Sequence, residues 1–170
     1  IYVTKRSGKR ELLNLEKFHK VVWWACNGIK GVSASEIELK SHVQFYNNIE
    51  SSTIQETLIK AAADLISEET PNYQYVAGRL INYHLRKQVY GEFSSIRLSS
   101  HVRNIVDKGF YTSELLKWYT DEDFDYMDTF IDHSRDQYLT YAAMEQFRGK
   151  YLVQNRATKQ IFETPQIAYM

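Results

Sequence analysis

The chain has 170 residues, enough for one average domain or two small ones, and 44% of them are apolar, enough for a real core. Twenty-one basic residues balance 21 acidic ones, which argues against a protein whose main task is to coat nucleic acid or anionic lipid. The single cysteine, Cys26, excludes an internal disulfide or a multi-cysteine zinc site and suggests a reducing, cytoplasmic address. No apolar run approaches the ~18 residues of a membrane span, and no secretion leader is visible.

The pattern from Tyr2 to Leu13 predicts a β-hairpin turning at Ser7-Gly8. A helix is expected from about Glu16 to Asn27, stopped by Asn27-Gly28. Ser35 with Glu38 suggests a capping box for a second helix reaching Tyr46. Ser52 with Gln55 suggests another, opening a third helix to about Ser67. Thr70-Pro71 opens a fourth that ends near Tyr90-Gly91. Residues 1–91 therefore suggest a hairpin laid across a four-helix bundle.

Residues 92–170 differ in composition. A serine-rich connection precedes shorter helices near 97–108, 113–118, 121–132 and 137–148, and a second hairpin is expected over Tyr151–Phe162. Between Glu114 and Lys150 nine acids face four bases. Thr164-Pro165 starts a last helix that has barely one turn before Met170, so the chain is expected to be the front of a longer polypeptide.

Candidate chemistry is concentrated at the start. Lys5, Arg6, Lys9, Arg10, Lys17 and Lys20 face only Glu11 and Glu16, and the serine-rich opening of the third helix offers hydroxyls and free amides to an anionic oxygen. A polyphosphate suits that neighbourhood; solvated, edge-protecting lysines and plain helix caps are the competing reading. Cys26 is expected to be a small buried hydrophobe. Asp132, His133 and Asp136 are expected on a solvated face, and Trp23, Trp24, Tyr73, Tyr75 and Tyr83 in packing. No Walker loop, Cys-x-x-Cys, Gly-x-Gly-x-x-Gly or Gly-x-Ser-x-Gly occurs, and no catalytic constellation emerges.

Several segments together resemble a known family. Val3-Thr4-Lys5-Arg6-x-Gly8, Asn14-Leu15-x-Lys17, Ile59 to Ile66, Pro71 to Leu80, and Leu85-Arg86-Lys87-x-x-Tyr90-Gly91 are similar to the ATP-cone of class I ribonucleotide reductase large subunits. Met127 to His133 and Gly149 to Arg156 resemble the helical segment joining that cone to the catalytic barrel. The resemblance implies a mainly α fold, with an ATP-cone over 1–91 and the start of a helical domain over 92–170. It implies an overall-activity switch in which ATP favours an active assembly and dATP an inhibited one, both with Mg2+. The enzyme would reduce ribonucleoside diphosphates, with catalytic cysteines and barrel beyond this chain, so the fragment alone should be inactive.

The implied nucleotide-contacting positions are Val3, Lys5, Arg6, Glu11, Asn14, Lys17, Ser51, Ile54, Gln55 and Lys87. Glu11 and Asn14 fall where adenine is read, and Lys5, Arg6 and Lys87 near phosphates. Ser51 and Gln55 stand where the family typically carries threonine and histidine; the loss of a cationic ring implies weaker binding or lost dATP inhibition. Implied partners are the remainder of the large subunit, the small radical-generating subunit and other large subunits, with no nucleic acid and no membrane. The competing functions are a decayed cone acting as an interaction module and a stand-alone nucleotide-sensing regulator.

Overall fold

A computed structural model describes all 170 residues. It is mainly helical with one small sheet, and it divides into two compact units. The first comprises residues 1–84 and 137–145, the second residues 85–136 and 146–170.

The first unit begins with the expected hairpin, β1 (Tyr2–Thr4) against β2 (Arg10–Leu12), Val3 facing Glu11 across the ladder. Gly8 takes the turn at φ 80°, where a side chain would be strained, and its amide donates to the Lys5 carbonyl at 2.8 Å. A third strand, β3 (Ile49–Glu50), was not foreseen. It runs parallel to β1, pairing Val3 with Ile49 and Thr4 with Glu50. Two residues carry no alternation, so only the tertiary pairing reveals such a strand.

Four helices support the sheet: α1 (Leu15–Cys26), α2 (Ala34–His42), α3 (Ser51–Ala63) and α4 (Tyr73–Tyr90), of which α4 contributes its residues to His84 to this unit. Val3, Ile49 and Ile54 are buried together, with Leu13, Phe18 and Phe45 packed against them. Each such side chain contributes on the order of 1.5–3 kcal/mol.

The helix starts correct two expectations. Ser33, not Ser35, caps α2 by accepting the Glu36 amide, and α2 ends at His42 rather than Tyr46. Ser52 and Gln55 form no capping box: Glu50 is the N-cap of α3 and makes no side-chain cap bond, while the Ser52 hydroxyl donates to the Glu50 carboxylate. β3 runs directly into α3, so the N-cap falls on Glu50 rather than on a serine, and the Glu50 carboxylate is turned to the Ser52 hydroxyl. Likewise α3 ends at Ala63, and α4 starts at Tyr73, because Thr70 turns back to bond Leu65 and Ser67.

Tyr73, 1% exposed, anchors α4 by donating to Glu36 at 2.7 Å and accepting from the Ser33 amide at 2.9 Å. Arg79 donates to the Ala25 and Asn27 carbonyls at the end of α1. Residues 137–145 lie hard against α4 at Gly78, where a Cβ would stand 2.1 Å from the Leu139 oxygen. Trp23 departs from expectation, since more than half of it is exposed.

The second unit contains the rest of α4, then α5 (Leu98–Asp107), α6 (Leu115–Trp118), α7 (Asp121–Asp128), part of a 3-10 turn at His133–Tyr138, a π turn at Phe147–Tyr151 and α9 (Pro165–Ala168); α8 (Tyr141–Gln146) falls mainly in the first. Leu98, Val102, Phe124 and Ile167 form its apolar centre. Thr120 and Asp123 make a reciprocal capping box for α7. The expected second hairpin reduces to one bridge, Gln154 with Ile161.

Buried polar groups surround that centre, which corrects the solvated face expected for Asp136. Its carboxylate, 2% exposed, accepts from the Gln166 amide and side chain in the first turn of α9, and burial pushes its pKa up to about 6. Asp132 is exposed and holds Ser134. Glu163 accepts from the Tyr111 hydroxyl and the Val153 amide. His101, 1% exposed, lies between the rings of Tyr90 and Tyr111, and burial, with Lys108 and His133 nearby, pushes its pKa down to about 4.

A neutral buried histidine has a sign that can be checked. Its stabilising contribution is complete above the unfolded value near 6.5 and is lost as pH falls towards 4. The wild type should therefore lose on the order of 3 kcal/mol over that window from this group. In urea melts, the stability difference between wild type and His101→Gln should shrink steadily as pH drops from 6.5 to 4.5.

Candidate functional site

Parallel pairing of β1 with β3 has a direct consequence for charge. Both strands end side by side, so the chain leaving Thr4 as Lys5-Arg6 lies next to the chain leaving Glu50 as Ser51. Two cations and the amino end of a 13-residue helix thus share one edge of the first unit. No side chain caps that helix end, so its first amides stay available and its dipole favours an anion.

The basic turn is ordered by its own contacts. Lys5 pairs with Glu11 across the hairpin at 2.8 Å, both about one-third exposed. That bond, with Lys17 and Lys9 nearby, holds the Glu11 carboxyl below its usual range. Arg6 approaches the His84 ring of α4 at 3.3 Å, and the opposite ring nitrogen of His84 lies 3.3 Å from Glu56 of α3. Burial, opposed by Tyr83, lowers the Arg6 pKa. An Arg6–His84–Glu56 chain therefore ties the hairpin turn to two helices.

The sequence-predicted positions separate into groups. Lys5, Arg6, Glu11 and Lys17 are polar groups around the turn. Val3 and Ile54 are buried core residues, so their part in any site is to fix the strand and helix that carry the others. Asn14 is occupied: its side chain accepts the Lys17 amide at 2.9 Å as the N-cap of α1. Ser51 is the first residue of α3. One turn on, Gln55 has a buried side-chain oxygen with no hydrogen-bond partner. Such an acceptor is an exception that requires a donor, and a ligand hydroxyl would supply one. Lys87 lies on α4 in the second unit.

His84 and Glu56 were missed by sequence reasoning. A single histidine in an aromatic-rich helix carries no spacing signal, and the only pointer was its place in His84-Leu85-Arg86-Lys87. The remaining nucleophile candidate is inert: Cys26 is half-buried, and burial pushes its thiol up to about 11. No group of three or more His, Cys, Asp or Glu is arranged to hold a metal, and no helix is long and apolar enough to cross a membrane.

Comparison with known proteins adds the following. Residues 1–88 match the family model described as the ATP cone domain. All 170 residues align at 53% identity with ribonucleoside-diphosphate reductase 1 subunit alpha of Escherichia coli (strain K12), covering 22% of that protein. The Haemophilus influenzae (strain ATCC 51907 / DSM 11121 / KW20 / Rd) subunit alpha is 52% identical over 170 residues, with the same 22% covered. That of Enterobacteria phage T4 is 39% identical over 172 residues, again covering 22%. In each case the similarity includes the whole of this chain, which spans about a fifth of its relatives' length.

The cap assigned to Asn14 gives a test of its local role. Asn14→Ala should cost about 1 kcal/mol in a denaturant melt, as loss of an N-cap does. Asn14→Asp or Asn14→Ser should recover most of it.

Proposed function

The chain belongs to the ATP-cone family, and from that premise we propose that it is the overall-activity module of a cytoplasmic ribonucleoside-diphosphate reductase large subunit. In this reading residues 1–91 bind ATP or dATP with Mg2+, and residues 92–170 begin the helical domain leading to the catalytic barrel. One observation carries it: the parallel strand that sets Lys5 and Arg6 beside the uncapped start of α3.

The proposed roles follow from donor chemistry. Lys5 and Arg6 hold phosphate oxygens, one as a point charge and the other as a fork, with Lys87 as a further cation. His84 buttresses Arg6 from α4. Glu11 and Asn14 read the adenine edge, Lys17 supports them, and Ser51 and Gln55 meet the sugar and phosphates from α3. The free Gln55 oxygen is an acceptor for a ribose hydroxyl. Val3 and Ile54 form the apolar floor.

Catalysis is assigned to the remainder of the large subunit and the small radical-generating subunit, with other large subunits as assembly partners. Regulation then works by population shift, in which effectors act only as far as they bind two assemblies unequally. Couplings of about 1–3 kcal/mol suffice for a severalfold change.

Calorimetric titration of this chain with ATP and with dATP, in magnesium, is the direct test. Saturable binding should be seen and should fall at least tenfold in Lys5→Ala, with unchanged helicity. Absence of binding by the folded wild type would leave only a structural module. Replacing Gln55 by His should tighten binding by roughly 1–2 kcal/mol, the worth of one charge-assisted contact. Unchanged affinity for both nucleotides in Gln55→His would sink the role given to Gln55.

A further inference from the structure

Asn27-Gly28, at the stop of α1, is the one place in the chain where glycine follows asparagine. Both residues are exposed, and neither belongs to the nucleotide site proposed above. Asn27 is the C-cap at φ −59° and ψ 127°, and Gly28 follows at φ 75°, where a side chain would be strained.

The pair sets an electrophile beside a nucleophile, and both are unoccupied. The Asn27 side chain takes part in no hydrogen bond, and the Gly28 amide donates none. A Cβ built on Gly28 would meet nothing within 4 Å, so the space around that amide is open. The other asparagines are withheld by their surroundings. Asn14, Asn47 and Asn155 accept backbone amides, Asn72 donates to the Lys30 carbonyl, and Asn82 is fully buried. Asn48 and Asn104 precede isoleucine, whose branched side chain crowds the amide that would attack.

One interaction restrains the pair. Closing a ring between the Gly28 nitrogen and the Asn27 side-chain carbon requires rotation about ψ of Asn27 away from 127°, which swings the Asn27 carbonyl. That carbonyl accepts from Arg79 of α4 at 2.7 Å. Arg79 also donates to the Ala25 and Gln137 carbonyls, so the clamp is itself anchored.

We propose that Asn27 is a self-modification site: its side chain closes onto the Gly28 amide and opens to aspartate and isoaspartate, at a rate limited by the Arg79 clamp. The Gly28 nitrogen forms a bond to Asn27 Cγ, the bond from Cγ to Nδ2 breaks, and the Gly28 amide proton leaves with that nitrogen as ammonia. Water then opens the cyclic imide at either carbonyl, giving one carboxylate and restoring one amide, with no oxidant or reductant involved. The product places an anion at the carboxyl end of α1, where the helix dipole opposes it. Isoaspartate also adds one carbon to the main chain at the Arg79 contact, so the tie between α1 and α4 loosens. The inference is independent of effector binding.

The test incubates the folded 170-residue chain in water labelled with heavy oxygen, beside a urea-unfolded sample, and maps its peptides by mass spectrometry. Position 27 should gain heavy oxygen as a mixture of isoaspartate and aspartate, while the other asparagines stay intact. Arg79→Lys, shown folded by circular dichroism, should convert at least threefold faster. Asn27→Gln, which cannot close the same ring, should stay unmodified, and the converted wild type should unfold at lower urea than the fresh chain. The proposal is overturned if the folded chain is unchanged at position 27 when the unfolded sample has converted fully. Aspartate without isoaspartate, or equal conversion at Asn48 or Asn104, would also overturn it. An unchanged rate in Arg79→Lys would overturn the clamp.

Discussion

The first unit depends on a two-residue parallel pairing. Val3 against Ile49 and Thr4 against Glu50 join segments more than 40 residues apart, and the buried Val3, Ile49 and Ile54 side chains secure the join. Its backbone bonds are few, and each is worth only about 1 kcal/mol net. Burial of branched side chains on both partners therefore supplies most of the adhesion. Without that pairing, the basic turn and the start of α3 would be separate surface features; with it they lie side by side. The same pairing puts Glu50 at the N-cap of α3, where its carboxylate accepts from the Ser52 hydroxyl and makes no cap bond.

How far this was legible in the sequence depends on the range of the interaction. Local chemistry was readable: the glycine turn of the hairpin, the apolar stripe of α1, and the charge-rich first turn of α7 all depend on residues within four positions. Errors arose where a distant partner decided. Ser35 and Ser52 both have the spacing of a capping box, yet Ser33 already starts α2 and β3 already starts α3. Asp136 looked solvent-facing within an acidic stretch, but Gln166, 30 positions on, takes it into the interior. Burial of a carboxylate by a remote helix leaves no periodic trace.

The candidate site divides in the same way. Lys5, Arg6, Glu11 and Lys17 were visible as an excess of charge at the start of a neutral chain. The Arg6–His84–Glu56 chain was not, because its members come from three elements and none stands out in its own segment. Val3 and Ile54 came from family likeness alone, and the structure gives the physical content: they are the packing that holds cations and helix end in register. Gln55 was visible as a departure from the family pattern, while its unpartnered oxygen required coordinates.

The ion pair between Lys5 and Glu11 bears on how the proposed switch would operate. If Lys5 serves phosphate and Glu11 serves adenine, one nucleotide must draw the two partners of a pair towards opposite ends of itself. A pair this exposed is strongly screened by solvent, so parting it is cheap beside a charge-assisted phosphate contact. The turn is thus held in order by a bond weak enough to surrender. Arg6 is different, because it leans on His84, which in turn contacts Glu56, and no carboxylate has to be given up to free it. One phosphate ligand would be recruited and the other would be waiting, and any effector that failed to reach Lys5 would leave the hairpin in its unliganded form.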